Sequence, residues 1–168
     1  MNIAVNARFF TQQFTGVQRY ASELSGRIAA RTGAQLLAPD APTGDHRYSN
    51  LRVTATGRLH GHLWEQLDLP LFLRRAGTPL LLNLANTAPL AYRRQIVTVH
   101  DLAFMRNPAW FSRGFALYYN FLIPRVVRSA LAVITVSEFS KREIVGLTGV
   151  PAEKVHVVYN AASAVFAP

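Results

Sequence analysis

Short runs of leucine and β-branched residues alternate with amphipathic stretches along the whole chain. Apolar runs predict strands at 3–5, 35–37, 51–54, 80–84, 96–99, 132–136 and 155–158. Several are continuously apolar, as expected of strands covered on both faces rather than half-exposed. Between them, helical spacing predicts helices over 17–31, 61–75, 113–130 and 138–147. Strands alternating with helices, with a strand pair early on, predict an α/β fold with a mostly parallel sheet of about seven strands.

The first helix is the best marked. Val17, Tyr20, Ala21, Leu24 and Ile28 share one face, Thr15 with Gln18 forms a capping-box pattern at its start, and Gly33 lies just past its end. In the second, Leu63, Leu67 and Leu71 recur at spacing four and Pro70 is expected to kink or end it. Pro124 is expected to do the same to the third. Ser137, or Ser140 with Glu143, caps the fourth. The stretch 40–50, rich in Pro, Gly and Asp, reads as an exposed loop.

Composition narrows the class. The 168 residues are 50% hydrophobic and 16% charged, which places the chain among folded domains rather than disordered ones. The absence of cysteine excludes disulfides, thiolate metal sites and a Cys nucleophile. No secretory signal is recognisable after Met1 and no apolar run is long enough to span a bilayer, so the expected location is cytoplasmic.

Net charge is +9, and all the cations but Lys141 and Lys154 are arginine, the planar fork that binds phosphate and carboxylate. The arginines are scattered and carry no nucleic-acid motif, which points away from nucleic acid. Compositional bias, nucleotide phosphate and an anionic membrane stay open. Between positions 109 and 128, Trp110, Phe111, Phe115, Tyr118, Tyr119 and Phe121 lie among Arg113, Arg125 and Arg128. That mixture suits either a core-packed helix or an anionic lipid surface.

In an open parallel sheet, ligands bind beyond the carboxyl ends of the strands. Those ends place four polar loops together: 6–15, 85–89 with Asn86 and Thr87, His100 with Asp101, and Ser137 with Glu138. Gly16 and Val17 open the first helix, where free N–H groups can meet a phosphate, and Arg19 lies one turn further on. His100 can hydrogen-bond a substrate hydroxyl or shuttle a proton, with Asp101 fixing its tautomer or capping the next turn. The alternative is a structural histidine bonded to a backbone carbonyl. His46, His60 and His62 read as surface residues and His156 as structural. There is no nucleophile elbow, zinc motif, Walker loop or Asp-x-Asp pair, so no metal is expected.

Five stretches, in order, carry a resemblance. They are Phe14-Thr15-Gly16-Val17-Gln18-Arg19-Tyr20-Ala21-Ser22-Glu23-Leu24, Leu63-Trp64-Glu65-Gln66, Thr98-Val99-His100-Asp101-Leu102, Val136-Ser137-Glu138-Phe139-Ser140-Lys141-Arg142-Glu143 and Val155-His156-Val157-Val158-Tyr159-Asn160-Ala161. Together they resemble the N-terminal half of the family-four retaining glycosyltransferases of GT-B fold. The resemblance implies a Rossmann-like, doubly wound acceptor-side domain over 1–160, the start of a linker at 161–168, and a C-terminal donor domain that this chain lacks. It also implies that the glycine at Gly16 approaches donor phosphates and that the histidine at His100 points at the donor sugar.

The family's paired glutamates and its phosphate-binding Arg and Lys belong to the second domain, so the isolated chain is expected to be inactive. Its hinge differs too, with Asn160-Ala161-Ala162-Ser163 where the family often has Asn-Gly and an acidic residue. The implied reaction moves a sugar from a nucleoside-diphosphate donor to a hydroxyl of a lipid-linked or polysaccharide acceptor, with retention and without a metal, in bacterial lipopolysaccharide or exopolysaccharide synthesis. The +9 charge suits a peripheral position on the anionic inner membrane. A non-catalytic sugar- or nucleotide-binding module, or a membrane-docking scaffold, remains the alternative.

Overall fold

The computed structural model describes residues 2–39 and 52–161. The predicted loop at 40–50 with His46, the first residue of the predicted third strand and the expected linker from 162 onward lie outside them. Seven strands form one sheet: β1 (Ile3–Asn6), β2 (Gln35–Ala38), β3 (Val53–Ala55), β4 (Leu80–Asn83), β5 (Gln95–Thr98), β6 (Ala132–Thr135) and β7 (Val155–Val157). Their order is β3-β2-β1-β4-β5-β6-β7, and every pair is parallel, the early β2–β3 pair included. The strand order therefore reverses between β1 and β4, and all seven carboxyl ends share one edge.

Helix α1 (Gly16–Thr32) covers one face, packing Ala21, Leu24 and Ile28 against Val5, Leu36 and Ala38. Gln18 reaches back to the Thr15 N–H at 3.2 Å, and Gly33 closes the helix at φ 68°, a left-handed conformation that favours glycine. The other face carries α3 (Leu69–Arg75) on Ala4, Leu37 and Leu81, and α5 (Arg113–Ser129) on Val97 and Val133. The register Asn83↔Val97↔Val133 places these helices on the same side. A fully buried Leu, Ile or Val contributes about 1.5–3 kcal/mol, so the α5 residues Leu122, Ile123, Val126 and Val127 are a large share of the core. α4 (Ala103–Arg106) follows β5 and α6 (Glu138–Thr148) follows β6.

Neither proline breaks its helix. A three-residue α2 (Gly61–Leu63) passes through a π turn (Trp64–Asp68) into α3, with Pro70 in the first turn after it. The wider turn absorbs the missing N–H. It also moves the core face. Trp64, Leu69 and Leu73 are buried, at spacings of five and four, whereas Leu63, Leu67 and Leu71 face solvent at 62, 58 and 46% exposure. In α5, Pro124 lies inside an unbroken helix, where the Arg125 guanidinium donates to the Phe121 carbonyl at 2.7 Å.

Candidate functional site

The carboxyl edge carries two polar clusters. The first lies at the β1/β4 switch point and is buried. Glu65, in the π turn, is 1% exposed; its Oε1 accepts from Asn6 Nδ2 at 2.7 Å and Thr87 Oγ1 at 2.9 Å, with Arg8 Nε at 3.3 Å. Arg8 also donates to Thr87 Oγ1 at 2.7 Å. The bonding continues across the sheet from Asn6 to Asn83, Asn83 to Gln95, and Gln95 to the Pro89 carbonyl. Gln66, the next residue of the π turn, holds the same β4 exit loop through the Ala88 carbonyl and the Leu90 N–H, each at 3.0 Å. Burial pushes the Glu65 carboxyl up, but the Arg8 charge and the contacts from His62, Asn6 and Thr87 outweigh it and hold the group below the usual carboxylate range.

His62 is therefore more than a surface residue. Its Nδ1 lies 3.5 Å from Glu65 Oε2, beyond a full hydrogen bond, and its ring packs on Tyr118 and Tyr119 with centroids at 4.5 and 5.8 Å. The Tyr118 hydroxyl is pushed up to about 12, first by burial and then by the Glu65 charge. His156, expected to be structural, instead stands exposed on edge strand β7.

The second cluster surrounds His100, which ends the β5 run and is 9% exposed. Backbone groups anchor it. Its N–H donates to Asn86 Oδ1 at 2.8 Å, its carbonyl accepts from Ser140 Oγ at 2.9 Å, and its Nε2 lies 3.1 Å from the Leu84 carbonyl. Because a carbonyl only accepts, Nε2 carries the proton and Nδ1 is left as an acceptor. One ring nitrogen thus makes the bond to a backbone carbonyl that the alternative reading expected, and the other is left as an acceptor. Burial lowers the His100 pKa, against the Leu84 bond and the Asp101 charge, so the ring is held neutral. Asn86 takes φ 67°, a left-handed position that asparagine tolerates.

Asp101, one residue before the α4 N-cap Leu102, accepts from the Ala103 N–H at 3.0 Å, so its carboxylate holds the turn that enters α4 rather than the ring. Ser137 is the N-cap of α6, accepting from the Ser140 N–H at 3.0 Å.

Tyr20 joins this cluster to α1, its ring meeting His100 edge-on at 4.7 Å. The same tyrosine lines a groove of about 550 Å³ with Gly16, Arg19, Glu23, Arg27 and Tyr159. Here the first-turn N–H groups of α1, Gly16 and Val17 among them, lack the carbonyl partners of a helix interior. A Cβ on Gly16 would meet nothing within 4 Å, so the fold itself does not demand glycine there. Thr87 is not in this groove; it is 2% exposed and spent on Arg8 and Glu65. Gly16 and Arg19 thus line the groove with Tyr20, whose ring meets His100; Asn86 holds the His100 backbone, Asp101 and Ser137 accept from backbone N–H groups at the starts of α4 and α6, and Thr87 belongs to the switch-point cluster. Among the described residues no group of three or more His, Asp or Glu is arranged to hold a metal ion, and no helix is long and apolar enough to cross a membrane.

The family model of Glycosyltransferase Family 4 matches residues 14–164. The O-antigen chain mannosyltransferase RfbU of Salmonella typhimurium is 30% identical over 114 residues, covering 64% of this chain and 31% of that protein. The match thus spans about a third of the relative's length. With nearly the whole parallel sheet and the His100 loop inside the matched region, the chain belongs to Glycosyltransferase Family 4.

Proposed function

We propose that this chain is the acceptor-side half of a retaining glycosyltransferase of GT-B architecture. It moves a sugar from a nucleoside-diphosphate donor to an acceptor hydroxyl, and the donor is held mainly by a domain beyond this chain. The observation that carries the reading is the joining of two features at one sheet edge by Tyr20: the open α1 N-terminus at Gly16, and the neutral His100 with its Nδ1 unspent. Oriented N–H groups stabilise the charge developing on a departing diphosphate with little reorganisation, so no metal is required of this half. His100 binds a sugar hydroxyl. Asn86 holds the His100 backbone, Asp101 and Ser137 accept from backbone N–H groups at the helix starts beside it, and Thr87 ties the β4 exit loop to Arg8 and Glu65. The relative's name makes mannose the first sugar to test and an O-antigen chain the first acceptor; other lipid-linked or polysaccharide chains come next.

The test compares the 168-residue chain with a polypeptide that adds the donor domain, measuring nucleoside-diphosphate release from a panel of sugar nucleotides. Turnover by the longer polypeptide, with the same anomeric configuration in donor and product and no loss in chelator, is expected; none is expected from the chain alone. Sustained turnover by the chain alone would contradict the division of labour.

A peripheral position on the cytoplasmic face of an anionic membrane belongs to the same reading. Trp110, Leu117 and Phe121 are 74, 76 and 50% exposed, Arg125 lies 3.8 Å over the Phe121 ring, and Arg113 is exposed nearby. Phe111, Tyr118 and Tyr119 pack against the core instead, which narrows the lipid-facing set. Each cation near such a surface contributes roughly 1 kcal/mol. Co-sedimentation with anionic vesicles should fall with salt and with Arg113→Glu plus Arg125→Glu. Binding indifferent to both would assign the patch to the fold.

A further inference from the structure

The buried switch-point cluster is more polar than a fold requires. Arg8 Nε, Glu65 Oε2, His62 Nδ1 and the Tyr118 hydroxyl are all buried without a protein hydrogen-bond partner at proper geometry. Buried polar atoms in folded proteins are nearly always paired, so several in one place ask for an explanation. Glu65 and His62 give it a direction. The carboxylate is fixed by Asn6, Thr87 and Arg8 on Oε1, which leaves Oε2 facing His62 Nδ1.

A buried carboxylate beside Nδ1 favours the tautomer protonated there, which makes Nε2 the acceptor. The His62 side chain is 36% exposed while Nδ1 is buried, so the ring meets solvent along its other edge. This edge lies at the seam of α2 and α5, beside Tyr118 and at the carboxyl side of the sheet. The charges of Arg8 and Glu65 compensate each other beneath it, so the seam offers an acceptor atom to a neutral hydroxyl rather than a field for a phosphate.

Resting on the transferase reading, we propose that His62 is an acceptor-binding residue, taking a hydrogen bond from a hydroxyl of a neutral glycan at Nε2, and that Glu65 is its positioning residue. The pair lies on the α3/α5 face of the sheet, opposite α1 and its groove. The site therefore keeps its acceptor contact apart from the donor groove at Gly16.

The experiment uses the polypeptide with the donor domain for kinetics and this chain for spectroscopy. His62→Gln should raise the acceptor KM about 10-fold, the loss of one good hydrogen bond, while nucleoside-diphosphate release from donor and water stays unchanged. Long-range proton–nitrogen spectra should show the Nδ1-protonated tautomer at His62, with that preference lost in Glu65→Gln. An unchanged acceptor KM, or an equal fall in donor hydrolysis, would overturn the proposal, as would an Nε2-protonated tautomer. Absence of all turnover by the unmodified polypeptide would defeat the transferase reading, and the acceptor role with it. If Glu65→Gln fails to fold, the His62→Gln kinetics and the tautomer of the unmodified chain still decide.

Discussion

The two polar clusters at the carboxyl edge are built in opposite ways. The switch-point cluster joins side chain to side chain, with a compensated ion pair sealed under α2 and α3. The His100 cluster is pinned mainly through backbone groups and keeps a ring nitrogen unspent beside an open groove. Charge burial ties the first to the fold. The second can lose a side-chain atom and keep its loops in place. Removing either charge of the Arg8–Glu65 pair should therefore show chiefly as a loss of stability, and substitutions at His100 and Gly16 chiefly as a loss of ligand.

The largest effect is expected at Glu65. Glu65→Ala leaves Arg8 buried and unpaired and should cost about 3–5 kcal/mol in urea unfolding. Replacing both charges with apolar side chains, Arg8→Met with Glu65→Leu, should recover most of that loss. A single substitution costing under about 1 kcal/mol would contradict the buried ion pair as a structural unit.

Acid should resolve the two clusters in one titration. His100 has a folded pKa below its ordinary 6.5, so as pH falls through 6.5 the unfolded chain takes up the proton first and stability declines. Glu65 is held below its ordinary 4.5, as are Glu143 below 4.5 and Asp68 below 3.8, so a second decline to which all three contribute begins as pH falls through that range. Unfolding midpoints against pH should show both limbs, and His100→Gln should remove the upper one only. A profile unchanged by that substitution would place the upper limb elsewhere.

His100→Ala should cost about 1–2 kcal/mol, chiefly the Leu84 bond, since Asn86 and Ser140 hold the backbone and not the ring. In the polypeptide with the donor domain, activity should fall by about 10²-fold, as when one well-placed polar contact is lost. A large stability loss with unchanged specific activity would make the histidine structural.

The strands were legible because their apolar runs are short and continuous, and each predicted end falls within two residues of the observed one where the residues are described. The loops at Gly16 and His100 followed from topology alone, since parallel strands bring their ends to one edge. The switch-point cluster was not legible. Spacing four marked Leu63, Leu67 and Leu71 as one helical face, but the π turn shifts the buried row to Trp64, Leu69 and Leu73. The same shift turns Glu65 inward. A signal was present: Pro70 six residues after Trp64 asks the helix for a wider turn, and the five-residue step from Trp64 to Leu69 provides it. The capping roles of Asp101 and Ser137 were open alternatives that only hydrogen-bond geometry resolves.

The smallest stability effect carries the sharpest functional meaning. Gly16 begins α1 with open space where a Cβ would stand, so Gly16→Ala meets no protein atom and should leave stability unchanged or raise it by up to about 1 kcal/mol. If the α1 N-terminus receives donor phosphates, the same methyl group stands between ligand and backbone. The deciding measurement is nucleoside-diphosphate affinity by calorimetry, with thermal unfolding alongside, for Gly16→Ala in the polypeptide carrying the donor domain. The account predicts an unchanged or higher Tm with affinity weakened about 10-fold or more, one hydrogen bond's worth at the least. Unchanged affinity at unchanged Tm would make Gly16 only the residue that starts a helix, and would contradict the placing of the donor at this edge.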